Sequence, residues 1–486
     1  MTASQHMAAR RLPRSRQYVL ALLAICTATS VPTYAETMSG ALARAYAANP
    51  NLNQQRAAVR GVDENVPKAR AGWLPRIALT GYAGRSYLYQ RDPPSRTTAP
   101  DPGADPADDE SARPPRGQKF RSYPRGYGVS VSQPVFDGFK TLNSLRQAES
   151  QVLGGREDLR GVEQDTLMSG ATAYMDVLRD TAILGLRGAS IETLKEQARQ
   201  TGALAKIGQA TGTDMAQADA ALAQGRSEFF AARGALQASM ATFRQIVGME
   251  PRALQPAKSV EALLPKRVEL AIETGQREHP ALAAALHAAD AAEAAIRVAE
   301  AALYPTASVA GAVNRDLDVE GMTGKKSFSA AIFGQINIPI YQGGAEYASI
   351  RQAKEQLGQA RILVDLRRDQ VRAAIVTTWA HLQAARSQID STGAAVRAAE
   401  IALAGIRREA LVGQRTTFDI LTAQQNLLNA RVALVMAQRE RVVASYAILA
   451  AIGRLTTTHL GLVTQTYDPT RHFDQVKGRL FGTDAH

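Results

Sequence analysis

The chain has 486 residues, of which 45% are hydrophobic and 21% charged, and its formal net charge is +12. This composition suffices for a packed core and differs from that of a disordered chain. Basic residues are scattered along the chain with acidic ones between them, and no basic block is interleaved with aromatic side chains, which argues against a nucleic-acid partner. The sequence has no nucleotide-binding loop, nucleophile motif or histidine pair at metal-ligand spacing. It therefore predicts no enzyme, no metal and no cofactor.

The first 35 residues predict a secretory signal peptide. They combine four arginines and no acid with an apolar stretch from Tyr18 to Cys26 and the small residue Ala35. Cleavage after Ala35 would leave a net charge of +8. Cys26 is the only cysteine and could be a lipid-attachment site, but Ile25 precedes it where a small residue is required. We therefore predict an exported chain without lipid or disulfides.

The rest of the sequence is an internal duplication, which is sought first because it decides the fold. Pro75 recurs as Pro305, at a spacing of 230 residues. Later matches all have a spacing of 205 residues; they are Pro134 and Pro339, Gly138 and Gly343, Gly208 and Gly413, Thr211 and Thr416, and Asp214 and Asp419. The change from 230 to 205 places 25 extra residues in the first copy. They fall within Gln90–Lys119, whose many Pro, Asp and Arg residues predict a long exposed loop.

Each copy is predicted to run helix, strand, loop, strand, long helix, turn, helix. The chain then divides into a signal peptide (1–35), a first repeat (36–254), a connector in the equatorial region (255–275), a second repeat (276–455) and a C-terminal tail (456–486). The strands alternate apolar with small or polar residues, as in Tyr127, Val129 and Val131 against Gly128, Ser130 and Ser132. Such strands suit a wall between lipid and water.

Four strands per chain cannot close a membrane wall on their own, because the open edges would leave backbone groups unsatisfied in lipid. The sequence also lacks a run of eighteen apolar residues that could form a membrane helix. Several chains must therefore pool their strands, and the sequence permits two copies, three or more.

The long helices are predicted for Lys140–Lys206 and Glu346–Ala410, which contain no proline. A continuous helix of that length would reach about 100 Å at about 1.5 Å per residue. The return helices place Ala and Leu at alternating spacings of three and four residues, as in Ala423, Leu427, Ala430 and Leu434. These heptads predict antiparallel coiled coils with closely approaching helices.

This layout resembles the TolC family of outer-membrane efflux and secretion proteins over essentially the whole exported chain. The resemblance rests on the duplication, on the prolines before each first strand (Pro75, Pro305), and on the strand exits Pro134–Gly138 and Pro339–Gly343. The sequence from Val412 to Leu421 (VGQRTTFDIL) also resembles the periplasmic-tip motif of the family.

The resemblance implies a mixed α+β membrane protein. It implies a homotrimer whose strands form one shared twelve-stranded barrel and whose helices form a tunnel across the periplasm. The implied location is the outer membrane, in contact with its lipid. The implied partners are a periplasmic adaptor and an inner-membrane transporter.

The resemblance also implies a gate at the helical tips, beside the turn glycines Gly208 and Gly413. The acidic positions of the family's constriction correspond to Asp419 and Thr422, so the second carboxylate is absent. The latch positions correspond to Arg415, Thr213 and Asp214, whereas Ala410 stands in place of a latch tyrosine. An alternative role for the acids is helix capping, by Thr416 with Asp419 or Asp214 with Gln217.

Because the chain resembles the branch of the family without a lipid anchor, we expect type I secretion. In that role it would export a protein toxin, for example a repeats-in-toxin protein, together with an inner-membrane ABC transporter. The alternatives are the outer-membrane component of a multidrug or small-molecule efflux pump and, from another class, a periplasmic coiled-coil adaptor without a pore.

Overall fold

The computed structural model describes residues 36–90, 118–318 and 324–484. The predicted signal peptide and most of the predicted loop Gln90–Lys119 lie outside these residues. Among the described helices, none combines the length and the apolar character needed to cross a membrane.

The first copy has three short helices and a 3₁₀ turn, followed by four strands and two long helices. In chain order they are α1 (Met38–Ala48), α2 (Pro50–Asp63), α3 (Asn65–Arg70), the 3₁₀ turn Ala71–Trp73, β1 (Arg76–Ala83), β2 (Ser86–Gln90), β3 (Gln118–Ser122), β4 (Arg125–Phe136), α4 (Lys140–Lys206) and α5 (Gly212–Val247).

The second copy repeats this order with a single strand hairpin. After the 3₁₀ turn Glu261–Leu263 its elements are α6 (Val268–Glu278), α7 (Pro280–Glu300), the 3₁₀ turn Ala301–Leu303, β5 (Thr306–Leu317), β6 (Lys326–Asn337), α8 (Ala345–Leu411) and α9 (Thr417–Ala451). A short helix, α10 (Thr470–Val476), follows in the tail. The predicted duplication is therefore confirmed.

The long helices α4 and α8 each contain 67 residues. Helix α4 has the predicted bounds, and α8 extends one residue further at each end than predicted. Each pairs with its return helix, and small side chains allow the close approach. A Cβ atom on Gly225 of α5, for example, would lie 2.8 Å from Leu194 Cδ1 of α4. In the second hairpin Leu403, Ala423 and Leu427 form a buried seam.

Four strands form one antiparallel sheet in the order β1-β4-β5-β6. The pairing of β4 with β5, as in Val129 opposite Val313, joins the two copies directly. Strands β2 and β3 form a separate two-stranded sheet beyond β1 and β4. This second sheet was not predicted, and its strand β3 begins at Gln118, inside the segment that the sequence assigns to a loop.

Prolines and glycines mark the ends of the strands. Pro75 and Pro305 each precede the first residue of a strand, and Pro339 follows β6 by two residues. Pro134 instead lies within β4, where the pairing with β5 shifts register between Pro134 and Phe136. A bulge tolerates proline because it interrupts the ladder of hydrogen bonds.

The glycines that follow these strands, Gly138 and Gly343, both have positive φ, of 67° and 76°. Gly138 is further constrained by space, since a Cβ atom there would lie 2.7 Å from the Cβ atom of Tyr304. The exit from the first hairpin is thus packed against the approach to the second.

The main core lies where α1, α4, α5, α8 and α9 meet, at mid-length of the long helices. Its fully buried side chains include Tyr174, Phe243, Ile375, Leu382 and Ile448. The Tyr174 hydroxyl oxygen lies 2.7 Å from the backbone oxygens of both Glu36 and Gln255, so these two acceptors share its single proton. Burial raises the pKa of Tyr174 to about 12. This one side chain therefore ties the start of the described chain to the connector.

The connector is held by ion pairs to the second hairpin. Glu261 accepts hydrogen bonds from Arg386 of α8 at 2.5 Å and from Arg441 of α9 at 2.7 Å. The bonds from Arg441 and Arg386 lower the pKa of Glu261 to about 2. Helix α6 runs through the predicted boundary between the connector and the second repeat, at residues 275 and 276. The division of the chain into repeats and connector stays a prediction.

The C-terminal tail packs back onto the first copy. His472 Nδ1 lies 3.0 Å from Oδ2 of the buried Asp63 in α2. The next residue, Phe473, places its ring 5.0 Å from the Arg156 guanidinium of α4. The tail thus contacts both the short helices and the long helix of the first repeat.

Candidate gate at the helical tips

Both long hairpins end in the same turn, built from a glycine with positive φ. Gly208 has φ 74° and Gly413 has φ 77°. In the first tip Gly208 N–H donates to Ala205 O, and the next N–H donates to Leu204 O. In the second tip the equivalent bonds reach Ala410 O and Glu409 O. This pair of bonds is the Schellman motif, which ends a helix and satisfies its last carbonyl groups.

Each return helix then begins with a reciprocal capping box. Thr211 Oγ1 accepts from Asp214 N–H at 3.1 Å, and Asp214 Oδ2 accepts from Thr211 N–H at 3.0 Å. Thr416 and Asp419 repeat the arrangement at 3.3 and 2.9 Å. The predicted pairing of Asp214 with Gln217 is therefore wrong, because Asp214 is the third residue of the helix and not its cap.

The caps lower the pKa of both aspartates. For Asp419 the causes are the backbone and side-chain hydrogen bonds from Thr416, with a smaller contribution from Arg415. For Asp214 they are the side-chain and backbone bonds from Thr211. Both carboxylates are thus stabilised in the charged form within a single chain. The opposite effect, in which three carboxylates around an axis raise one another's pKa, would require the trimer and stays a prediction.

A groove of about 960 Å³ separates the tips of the two hairpins. Acidic residues of the first hairpin line one wall (Glu192, Glu196, Asp214), and basic residues of the second line the other (Arg407, Arg415). Arg415 Nε donates to Glu409 Oε2 of its own hairpin at 2.8 Å, and this bond raises the pKa of Arg415. Ala410 also lines the groove, where a small methyl group leaves open space.

Asp419 and Thr422 line a different groove, of about 380 Å³, on the face between α8 and α9. The predicted site residues thus divide between two surfaces. Arg415 and Asp214 face the space between hairpins, whereas Asp419 and Thr422 do not line it. Thr213 is exposed at the start of α5.

The sequence did not identify the acidic wall of the first groove. Glu192 pairs with Lys195 at 2.8 Å, and Glu196 pairs with Arg199 at 2.6 Å. The bond from Arg199 lowers the pKa of Glu196 to about 2. In the sequence, only the three-residue spacing between the opposite charges could have indicated this wall. Such spacing is common on solvated helices and does not by itself mark a site.

At the far end of the molecule, one face of the four-stranded sheet is apolar and exposed. Ile332 is 83% exposed, Leu79 is 77% and Phe328 is 72%. A soluble protein rarely exposes so continuous an apolar face, which marks a membrane or interaction surface. Combined with the paired helices, this sheet defines the class of the protein as an outer-membrane channel with a helical tunnel.

Comparison with known proteins identifies the group within that class. The sequence matches the family described as "Outer membrane efflux protein" over residues 41–249 and 272–454, and the chain belongs to that family. The predicted resemblance to TolC channels is thereby confirmed. Channels of this family are homotrimers of the outer membrane that work with adaptors and inner-membrane transporters; they are not enzymes.

Two relatives and one solved structure illustrate the match. The outer membrane efflux protein BepC of Brucella suis is 38% identical over 95% of both chains. The alkaline protease secretion protein AprF of Pseudomonas aeruginosa is 24% identical over 79% of this chain and 76% of its own. The crystal structure of the outer membrane protein VceC from Vibrio cholerae superposes with a TM-score of 0.69 at 20% identity, covering 86% of this chain and 96% of that one.

Proposed function

We propose that this protein is a passive exit duct that receives its cargo from an inner-membrane transporter through a periplasmic adaptor. The observation that carries the proposal is the joining, in one chain, of a sheet with an exposed apolar face to paired helices of about 100 Å. The sheet suits lipid and the helices suit the periplasm. A periplasmic adaptor without a pore would not need a sheet with an exposed apolar face, so this sheet argues against that alternative.

Small-molecule efflux is the cargo class that similarity favours. BepC is named an efflux protein, and its 38% identity extends over nearly the whole of both chains. Protein export through a type I system, which the sequence analysis favoured, is the second candidate. It is supported by AprF, which is named for protease secretion, at lower identity.

The gate is proposed to use the two grooves for different purposes. Asp419 would form the only acidic ring of the constriction, since Thr422 replaces the second carboxylate. The groove between the hairpins would act as the latch, because its acidic wall faces the Arg407 and Arg415 side chains. Drawing these walls together would bring the two arginines against the acids of the first hairpin, and Arg415 would exchange its present partner Glu409 for one of these acids. An adaptor that separates the walls would open the tip.

Deletion of the gene in the organism that encodes it tests the cargo. For efflux we expect greater sensitivity to dyes, bile salts and hydrophobic antibiotics, with an unchanged set of secreted proteins. For protein export we expect the loss of particular proteins from the culture medium. A plasmid copy of the wild-type gene should reverse either effect. A deletion strain unaltered in both assays would contradict the proposed duct.

A further inference from the structure

The apolar face of the four-stranded sheet changes character in rows along the strands. Residues opposite one another in β4, β5 and β6 form each row. The sequence of rows is Val131, Gly311 and Ile332, then Val129, Val313 and Ala330, then Tyr127, Arg315 and Phe328, and finally Arg125, Leu317 and Lys326. The face therefore passes from apolar to aromatic to basic with distance from the helices.

The two faces of the sheet differ in the chemistry of the side chains that cover them. On the opposite face a Cβ atom at Gly126 would lie 2.3 Å from Asp316 Oδ1, and one at Gly128 would lie 2.0 Å from Asn314 Oδ1. On the apolar face a Cβ atom at Gly311 would approach nothing closer than 3.6 Å. The opposite face thus carries polar side chains that lie over glycines, and Tyr82 donates to Asp316 there at 2.9 Å. The apolar face is therefore the one suited to lipid, and it is taken as the outward face.

The last two rows of this face carry three cations, Arg125, Arg315 and Lys326. Strands are about 4.8 Å apart and rise about 3.3 Å per residue, so the Cα atoms of the three lie within about 10 Å of one another. The described residues of β1, β4, β5 and β6 on this face include no Asp or Glu. Among the described acids, Asp318, in the turn beyond β5, forms an ion pair with one of these cations, with its Oδ2 4.0 Å from Arg125 Nη2.

We propose that these three residues, which we name the cationic rim, bind the phosphate groups of an anionic lipid in the outer leaflet. The family places the helices in the periplasm, so the rim lies at the outer-leaflet headgroups. Aromatic side chains favour that same interfacial depth. Tyr127 and Phe328, in the row of Arg315, would contact the upper acyl chains while the cations hold phosphate. The occupant is a lipid because its acyl chains would continue over the apolar rows below.

Lipid binding to the purified trimer tests the proposal. The probes are a bisphosphorylated lipid A and the same lipid with its phosphates removed, measured by native mass spectrometry and by titration. The triple variant Arg125→Gln, Arg315→Gln and Lys326→Gln should bind the phosphorylated lipid about a hundredfold more weakly. Wild type should bind the dephosphorylated lipid weakly, and excess inorganic phosphate should not displace the bound lipid.

The connector offers a matched control with the same loss of charge. Lys258→Gln, Lys266→Gln and Arg267→Gln change three exposed cations far from the sheet and should leave lipid binding unaltered. If the rim triple does not form trimers, the single variant Arg315→Gln should still weaken binding several-fold. Binding by the rim variants within twofold of wild type would overturn the proposal. So would equally tight binding of the dephosphorylated lipid, or full displacement by inorganic phosphate.

Discussion

The two helical tips have the same backbone chemistry and different side-chain chemistry. Each has a glycine with positive φ and a reciprocal Thr–Asp capping box. At the positions where Glu409 and Arg415 form an ion pair in the second tip, the first tip has Leu204 and Ala210. Because both turns form with the same hydrogen bonds, the ion pair is not needed to make the turn. The ion pair of the second tip, which the turn does not require, can therefore serve the gate.

The largest expected effect is on the ion selectivity of the channel, when a capping aspartate is replaced. The two aspartates have the same capping role, but only one of them is proposed to line the constriction. Asp419→Ala and Asp214→Ala each remove one capping box. Only Asp419→Ala should abolish cation preference and block by multivalent cations, because only Asp419 is proposed to form an acidic ring. Planar-bilayer recordings of the two variants measure this.

Trimer formation by both variants, checked on gels, is the control for folding. Equal selectivity in wild type and Asp419→Ala would reduce Asp419 to a helix cap. A loss of selectivity in Asp214→Ala of the same size would show that the two tips contribute alike.

Replacing the turn glycine by alanine should destabilise the two tips equally. Gly208 and Gly413 have positive φ, and a Cβ atom at either would meet nothing within 4 Å. Gly208→Ala and Gly413→Ala should each cost about 1–2 kcal/mol, because the left-handed backbone alone is penalised. Hydrogen exchange of peptides from each tip measures the change.

Gly202 provides the control, since it lies within α4 and also has open space at its Cβ position. Gly202→Ala should stabilise the helix by about 0.5–1 kcal/mol. A cost at one tip glycine only would mean that contacts outside the turn, and not backbone conformation, decide the effect.

Much of this architecture could be predicted because local signals specify it. The bounds of α4 follow from the absence of proline after Lys140 and from Gly208 after Lys206. The strands follow from alternation, as in Tyr127 to Val131. These signals act within a few residues and survive without knowledge of the fold.

The anchors of the equatorial region could not be predicted in this way. Tyr174 joins backbone groups that lie 138 and 81 residues away, and Glu261 meets arginines 125 and 180 residues away. No local pattern marks such partners. The division of the candidate gate into two grooves was missed for a similar reason, since it depends on how the hairpins pack.

The stability of the two tips against local unfolding should depend on pH in slightly different ways. Both aspartates have a lowered pKa in the folded chain, so their stabilising effect is present above the unfolded pKa of about 3.9 and is lost as the pH falls through the folded value. Arg415 adds to the lowering for Asp419 and has no counterpart for Asp214. The second tip should therefore keep its protection from hydrogen exchange to a lower pH than the first, after correction for intrinsic rates. Loss of protection in the reverse order would contradict this explanation, and Asp419→Asn should remove the dependence in the second tip.

The smallest expected effect on stability comes from the ion pair itself. Arg415 and Glu409 are about half exposed, and exposed pairs contribute little to folding. Arg415→Gln and Glu409→Gln should therefore leave trimer stability nearly unchanged. Their conductance should differ, because Arg415 lines the groove that also holds Asp214, whereas Glu409 does not line it. If Arg415 closes that groove in the assembled channel, Arg415→Gln should raise the resting conductance while Glu409→Gln, which frees the arginine, should lower it. Equal changes of conductance in the two variants would mean that the ion pair acts only within its own tip. In that case the double variant Leu204→Glu with Ala210→Arg, which builds the same ion pair in the first tip, should leave the conductance unchanged.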